Sequence, residues 1–587
     1  MNERNNVVGI VMGTEESKPY EFWFQVMDNQ IISVGDVVKV ENKINDKEVI
    51  FYGIVSDVVK GFEGINFHSW NTEVVNGKIP YQRYHKAFVR ITVIKPEDLI
   101  IPPEPGSKVI KISEETEIKV ATKMDNKPKL IPAGIMNNGL PAYINWEFLN
   151  GEKGAHVSIS GISGIATKTS YSLFLIHSML YCKSLDNSEK RNIKVIIFNV
   201  KGEDLLHIDK NNGKFKASDK EQFELLKIPP HPFGKEDIQF FTPPSEKNPD
   251  EPLSEERKNN INIFSWSLKD FLKFKLINYM FEEDEKVDDN FYNILSHISE
   301  VLAEAAAAEK APEGSIQIGN HKIKINSLFD KSLSIDTDEE ISEKLEKEGI
   351  ALNQLFILVR NLDKSNEIRN KLFPREISEQ TISKFIRKFS ASARDIGFMI
   401  GNESRRIEWE NTRVTVINIS DKFLTSRAQR FVVGSLLSEI YYGEKSPKSK
   451  GYTLFIMLDE LNKYAPATGS SPIKSILLDI AERGRSLGII LIGAQQMASE
   501  VEPRIISNSS IKVIGRMDSG EIENKNYKYL PIEMKEKAKR ITSGTMILYQ
   551  PDLEVPITIT FPKPPYATRK EEVTTSDEEI KRYNNIE

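Results

Sequence analysis

Ala155-His156-Val157-Ser158-Ile159-Ser160 runs directly into Gly161-Ile162-Ser163-Gly164-Ile165-Ala166-Thr167-Lys168-Thr169, and Ser170–Tyr181 continues with a helix-compatible apolar pattern. Strand, glycine-containing loop, helix is the opening unit of a nucleotide-binding α/β domain. A triphosphate needs backbone N–H groups converging on oxygen, a helix N-terminus aimed at it, and a lysine that reaches the phosphates. In this reading Gly161, Ser163, Gly164, Ala166, Thr167, Lys168, Thr169 and Ser170 form the loop. Lys168 is the phosphate lysine and the Thr169 hydroxyl is a Mg²⁺ ligand. The loop is one residue longer than G-x-x-x-x-G-K-[ST], and Thr167 stands where a glycine usually precedes the lysine. A β-branched residue avoids positive φ, so Gly164 and the extra residue are expected to absorb the turn. The alternative is a glycine turn between strand and helix with an incidental lysine.

Outward from that unit the same alternation continues. Ile193–Val200 is apolar nearly throughout, as a parallel strand buried on both faces should be. Further on, the spacing predicts strand Arg413–Ile419, helix Ser426–Tyr442, strand Tyr452–Leu458, helix Ile473–Arg483, then strands Ile489–Gly493 and Ile511–Gly515. A mainly parallel sheet with helices on both faces is the expected result. Glu554–Pro562 reads as one more strand. Between Lys201 and Glu408, charge runs, an alanine-rich stretch (Ala303 to Ala308) and i, i+3, i+4 apolar spacing predict a helical insertion. The first hundred residues differ: Val7–Met12, Glu21–Val26, Gly35–Glu41, Glu48–Val55 and Lys86–Ile94 are short β-branched or aromatic runs, which suggests a small antiparallel barrel. Ile100-Ile101-Pro102-Pro103-Glu104-Pro105-Gly106 then interrupts any ladder. The expected division is a barrel over 1–105, a first core segment over 106–204, the insertion over 205–405, a second core segment over 406–565, and a charged tail over 566–587.

Composition bounds the partners. The chain has 587 residues, more than one hydrophobic core usually serves, so several domains are expected. Lys+Arg 79 against Asp+Glu 85 gives a net charge of −6, which excludes a uniformly basic protein but not one with basic residues along a channel. A single cysteine, Cys182, excludes a disulfide framework and a cysteine zinc finger. No apolar run approaches the ~18 residues of a membrane span, and the N-terminal apolar run is too short for a secretory leader. A cytoplasmic protein without a membrane association is the expectation.

Two further segments carry chemistry. Thr453-Leu454-Phe455-Ile456-Met457-Leu458-Asp459-Glu460 is an apolar strand ending in two carboxylates. Downstream of a phosphate loop, the first serves Mg²⁺ and the second polarises the attacking water. Ile489-Ile490-Leu491-Ile492-Gly493-Ala494-Gln495-Gln496 delivers Gln495 as a γ-phosphate sensor. Glu482-Arg483-Gly484-Arg485-Ser486-Leu487-Gly488 puts two arginines near a helix end, either as a finger for a neighbouring subunit or as cations at a helix C-terminus.

The order small barrel, phosphate loop, helical insertion, Leu-Asp-Glu, Gly-Arg-Ser-x-Gly, Gly-Ala-Gln-Gln resembles the HerA branch of the HerA–FtsK translocase ATPases. The N-terminal part is similar to its HAS barrel. Gly544-Thr545-Met546-Ile547-Leu548 through Pro556–Pro562 resembles the C-terminal strand that braces a neighbouring protomer. The resemblance implies a RecA-like ATPase core using ATP and Mg²⁺. It assigns phosphate to Lys168 and Thr169, Mg²⁺ to Thr169 and Asp459, and the catalytic base to Glu460. Gln495 becomes the sensor and Arg485 the finger acting in trans, with Arg483 and Arg516 as substitutes and Asp204 near the nucleotide. It further implies a homohexameric ring moving double-stranded DNA, with a nuclease or other effector (NurA-like, sirtuin-like or another) docked on the barrel. Lys463 and Lys474, after the carboxylate strand, are the candidates to face DNA. A second reading keeps the nucleotide-binding ring as a scaffold that regulates an effector and hydrolyses little. A third, a coupling ATPase of the type-IV-secretion kind, calls for an N-terminal membrane anchor, which is not expected here.

Overall fold

The structure is a computed structural model and describes residues 6–63, 71–76, 82–162, 168–281, 289–307, 315–331 and 349–574. Period-2 burial builds the N-terminal unit: along Glu21–Val26, Phe22, Phe24 and Val26 are buried while their neighbours face outward. Six such strands close an antiparallel barrel in the order Val7–Val11, Glu21–Val26, Gln82–Lys95, Lys47–Glu63, Val37–Ile44 and Lys108–Lys111. Its closing strand lies past the expected boundary at 105. The prolines end a strand without ending the barrel, because Gly106, at φ +87°, turns the chain back so that Ile110 pairs with both Val7 and Lys39. Val37, Tyr52, Ile54 and Val93 face away from the barrel's own core and join that of the α/β body.

The body is a 12-stranded sheet. Asn262–Ile263, Ile238–Thr242, Val414–Asn418, Ile193–Asn199, Thr453–Asp459, Ile489–Gln495, Val157–Ser160 and Ile511–Ile514 run parallel, in that order across the sheet. Thr545–Tyr549, Ile557–Thr560, Leu130–Met136 and Pro141–Asn145 extend it antiparallel. The central parallel strands are mainly apolar because both faces are covered. Val195 and Ile197, Phe455 and Met457, and Ile490 and Ile492 feed one core with helix Lys168–Tyr181. The alternate residues Ile196 and Phe198, Leu454, Ile456 and Leu458, and Ile489 and Leu491 feed the other, with helices Ser426–Tyr442 and Pro472–Leu487. The expected α/β core, barrel and insertion are all present.

Two expectations need correction. The stretch from 205 to 405, expected to be mostly helical, also contributes strands. Ile238–Thr242 is a strand of the main sheet paired with Val414–Asn418, and Ser315–Ile318, His321–Ser327 and Ile350–Ala351 form a small sheet of their own. The pentapeptide Ile-Gln-Phe-Phe-Thr is too short to announce itself among charged flanks. Its helices, such as Asp289–Ala307 and Glu379–Ile396, pack into the core that holds Ser426–Tyr442. Nor is the segment from 566 a free tail throughout. Tyr566 is fully buried and Ala567 N–H donates to the Lys210 carbonyl at 2.9 Å, which fastens the chain as far as 574. Residues 575–587 lie outside the described residues.

Candidate functional site

Parallel strands end together, so the residues just past their C-terminal ends are gathered at one edge of the sheet. The Val157–Ser160 strand leads to the loop, its neighbour Ile489–Gln495 ends in Gln495, and the next, Thr453–Asp459, ends in the two carboxylates. The loop strand and the carboxylate strand are thus separated by the strand that carries the glutamine. Gly161 N–H donates to the Gln495 carbonyl at 3.2 Å, and Ile162 N–H to that of Arg516 at 2.8 Å, so the start of the loop is tied to both flanking strands. Ser163, Gly164, Ala166 and Thr167 lie outside the described residues.

Beyond the loop, Lys168 opens the helix Lys168–Tyr181 and is buried, 5% exposed. Burial pushes its ammonium below the usual lysine range, Lys201 pushes the same way, and Asp459 and Glu460 pull it back. The Thr169 hydroxyl donates to Asp459 Oδ2 at 2.8 Å, closing the gap between the two motifs across 290 residues. Ser170 comes next, half-buried on the same helix turn. A hydroxyl and a carboxylate oxygen side by side are hard donors of the kind Mg²⁺ takes, usually completing its shell with water and phosphate. Thr169 and Asp459 therefore fit that cation.

Glu460 is buried and held at φ +56°, a left-handed conformation that costs a non-glycine residue on the order of 1 kcal/mol. Its N–H donates to Asp459 Oδ1 at 2.9 Å, and Leu461 next to it packs against Gly493, where a Cβ would come within 2.5 Å of the leucine side chain. Burial pushes the Glu460 carboxyl up, but two ammonium groups outweigh it and hold it below the usual carboxylate range. Lys201 Nζ lies 2.5 Å from Oε1, and Lys463 pairs with Oε2. Gln495 is fully buried. Its amide donates to Ser158 Oγ and Ser160 Oγ at 2.8 Å each, and Oε1 has no hydrogen-bond partner among the described residues.

Lys201 belongs to no motif in the sequence. The signal is in the register: Phe198 aligns with Leu458 on the adjacent parallel strand, so the residues after Asn199 emerge beside Asp459 and Glu460. From the same turn, Asp204 points elsewhere and pairs with Arg569 at 3.4 Å. Ser158 and Ser160, which orient the glutamine, also carry no motif.

The arginines fall on two edges. Arg516 is exposed beside the loop, just past Ile511–Ile514. Arg483 and Arg485 lie at the opposite, N-terminal edge, lining a cavity of about 710 Å³ with Trp146, Glu152 and Lys448. Arg485 donates to the carbonyl of Gly151 at 2.6 Å and to that of Glu152, so it does not meet the nucleotide edge of its own chain. Each of the two lysines expected to face DNA has a carboxylate partner within its own chain. Lys463 is paired with Glu460. Lys474 is buried, donating to the Gly469 carbonyl at 2.9 Å and paired with Glu502 at 3.0 Å, because a buried ammonium requires such partners.

No protein-family model matches the chain, and no curated protein does. Among solved structures it is similar to the bacterial conjugative coupling protein TrwBdeltaN70 in its unbound form, at 11% identity over 79% of this chain and 95% of that one, with a TM-score of 0.47. The plasmid coupling protein TrwB in complex with ADP and Mg²⁺ is similar at 12% identity over 79% and 95%, TM-score 0.46. VirB4 of Thermoanaerobacter pseudethanolicus is similar at 12% identity over 74% and 97%, TM-score 0.40. At such identities these likenesses assign no residue a role.

Proposed function

We propose that this chain is an ATP-hydrolysing, DNA-translocating ring subunit of the HerA type. The observation that carries the reading is the 2.8 Å hydrogen bond from Thr169 to Asp459, with Lys168 at the head of the same helix and Glu460 next in sequence. Lys168 serves the phosphates as a point charge, Thr169 and Asp459 hold Mg²⁺, Glu460 accepts the proton of the attacking water, and Gln495 reports on the γ-phosphate. Bound Mg²⁺ supplies neutralisation of phosphate charge. Arg485, on the far edge of its own sheet, serves a neighbour's site in a ring of six, with Arg483 and Arg516 as its substitutes.

Double-stranded DNA is gripped from the pore through backbone phosphates, so its binding falls steeply with salt. The outer surface, at −6 per chain, contributes little. The nuclease or effector docks on the barrel. Among the described residues six of the eleven large apolar side chains left exposed, Ile10, Tyr20, Met27, Ile31, Val75 and Ile100, belong to the first 105 residues. No helix of the described residues is long and apolar enough to cross a membrane. A specific observation also favours the scaffold reading: both oxygens of Glu460 are held by lysines, which suits slow or conditional hydrolysis. ATP turnover of the full chain with and without DNA and the effector separates the two. Turnover stimulated by DNA supports the motor, and saturable nucleotide binding with negligible turnover under every condition supports the scaffold.

A further inference from the structure

We propose that Lys201 is a partner-exchanging positioning residue, holding one carboxylate oxygen of Glu460 in the free protein and moving onto the terminal phosphate of a bound nucleoside triphosphate. The inference rests on the phosphate-site reading above.

A general base needs a lone pair free to take a proton, and Glu460 has an ammonium on each oxygen. The two lysines are not equivalent. Lys463 lies three residues along the same turn, where its own N–H donates to the Glu460 carbonyl at 2.8 Å, so it moves with its partner. Lys201 arrives from another strand, and its side chain is 45% exposed against 10% for Glu460. Its backbone is fixed nearby: Asn199 Nδ2 donates to the Gly202 carbonyl at 3.0 Å, and Gly202 N–H to Asp421 Oδ1 at 3.0 Å. Only the flexible four-carbon stem is free to swing. The ammonium already lies within Coulomb range of Lys168 and Asp459. Lys168 and Lys201 are like charges at this edge, with Asp459, Glu460 and Asp421 as the carboxylates that act on Lys201. A phosphate entering beside Lys168 relieves the repulsion between two like charges and competes with Glu460 for Lys201. Once Oε1 is released, it takes a proton from water. The water oxygen bonds to the terminal phosphorus as the bond from phosphorus to the bridging oxygen breaks, its electron pair leaving on the diphosphate. The exchange thus ties activation of the base to the presence of the phosphate that is to be cut.

The test is calorimetric titration of the full chain with ADP and with adenylyl imidodiphosphate, an ATP analogue that is not hydrolysed. Lys201→Met should weaken the analogue roughly tenfold, the scale of a lost charge-assisted hydrogen bond, while ADP changes by less than about twofold. Lys201→Arg should restore most of that discrimination. Glu460→Gln, which releases Lys201, should tighten the analogue several-fold in the wild-type background, and that gain should vanish in the Lys201→Met background. Equal effects on ADP and analogue, or a Glu460→Gln gain that persists without Lys201, would overturn the exchange. If Lys168→Ala abolishes binding of both nucleotides while Lys201→Met changes neither, only this inference fails. A wild-type chain that binds neither nucleotide refutes the phosphate site and the exchange with it.

Discussion

The two edges of the parallel sheet are built from the same strands and serve opposite ends. At the C-terminal edge, Thr169, Asp459, Glu460 and Lys201 meet one another, side chain to side chain, around Lys168. At the N-terminal edge three groups show a different use, meeting or shaping backbone. Arg485 is spent on the carbonyls of Gly151 and Glu152, His156 Nδ1 accepts the Leu491 N–H at 2.9 Å, and Gly488 at φ +74° ends the helix so that Ile489 can begin the next strand. Groups satisfied by backbone fix a fold, whereas charges held by other mobile charges leave room for a ligand to rearrange them. That contrast places the candidate nucleotide site of each chain at the C-terminal edge of its own sheet.

The largest expected effect is at the C-terminal edge. Lys168→Ala should abolish measurable nucleotide binding while the thermal midpoint stays within a few degrees, because the change also removes a buried ammonium that burial disfavours. Wild-type affinity in that variant would break the assignment. Next comes Arg485, proposed above to serve the site of a neighbouring subunit. Arg485→Ala should lower turnover by on the order of 10³ or more in uniform rings and recover in rings mixed with wild-type subunits, whose mass should be near six times 66.9 kDa. Undiminished turnover would move the finger to Arg483 or Arg516, and a fully active monomer would remove it. Glu460→Gln should keep ATP bound and slow its hydrolysis by roughly 10²–10⁴, since the amide keeps the shape and loses proton acceptance.

The smallest effect belongs to the scaffold edge. Burial pushes the His156 imidazole down to about 4 and that of His177, in the helix after the loop, to about 3. Both are neutral in the fold, whereas the unfolded chain takes up their protons near pH 6.5. Their contribution is therefore complete above pH 6.5 and is lost as pH falls toward 4, by about 1.4 kcal/mol per pH unit for each. Thermal midpoints should drop between pH 7 and 5, and less in His156→Asn, since asparagine tolerates the φ of +64° found there. An identical pH response in that variant would show that His156 does not couple folding to protons.

Most of the scaffold was legible in the sequence because burial on both faces leaves an unmistakable apolar run. Helix Ser426–Tyr442 has the predicted bounds, and the strands at 193, 453, 489 and 511 begin within a residue or so of the expected positions. What escaped was pairing, which a local pattern does not carry. Lys108–Lys111 becomes a barrel strand only because two edges await it, and Ile238–Thr242 belongs to the sheet only because Val414–Asn418 lies beside it. The site divides the same way. Lys168, Thr169, Asp459 and Glu460 carry motif spacing, whereas Lys201 acquires its place from the alignment of Phe198 with Leu458. Lys463 and Lys474 show the converse: the sequence does not reveal that each lysine after the carboxylate strand has a carboxylate partner in its own chain.

The most direct test of the central claim is the Mg²⁺ dependence of ATP-analogue affinity in the wild-type chain and in Asp459→Asn. The contact between Thr169 and Asp459 predicts that Mg²⁺ tightens the analogue by roughly tenfold or more in the wild type and by far less in Asp459→Asn, with Lys168 supporting the residual metal-free binding in both. Equal tightening in the two proteins, or no effect of Mg²⁺ in either, would contradict a metal–nucleotide site at this edge of the sheet.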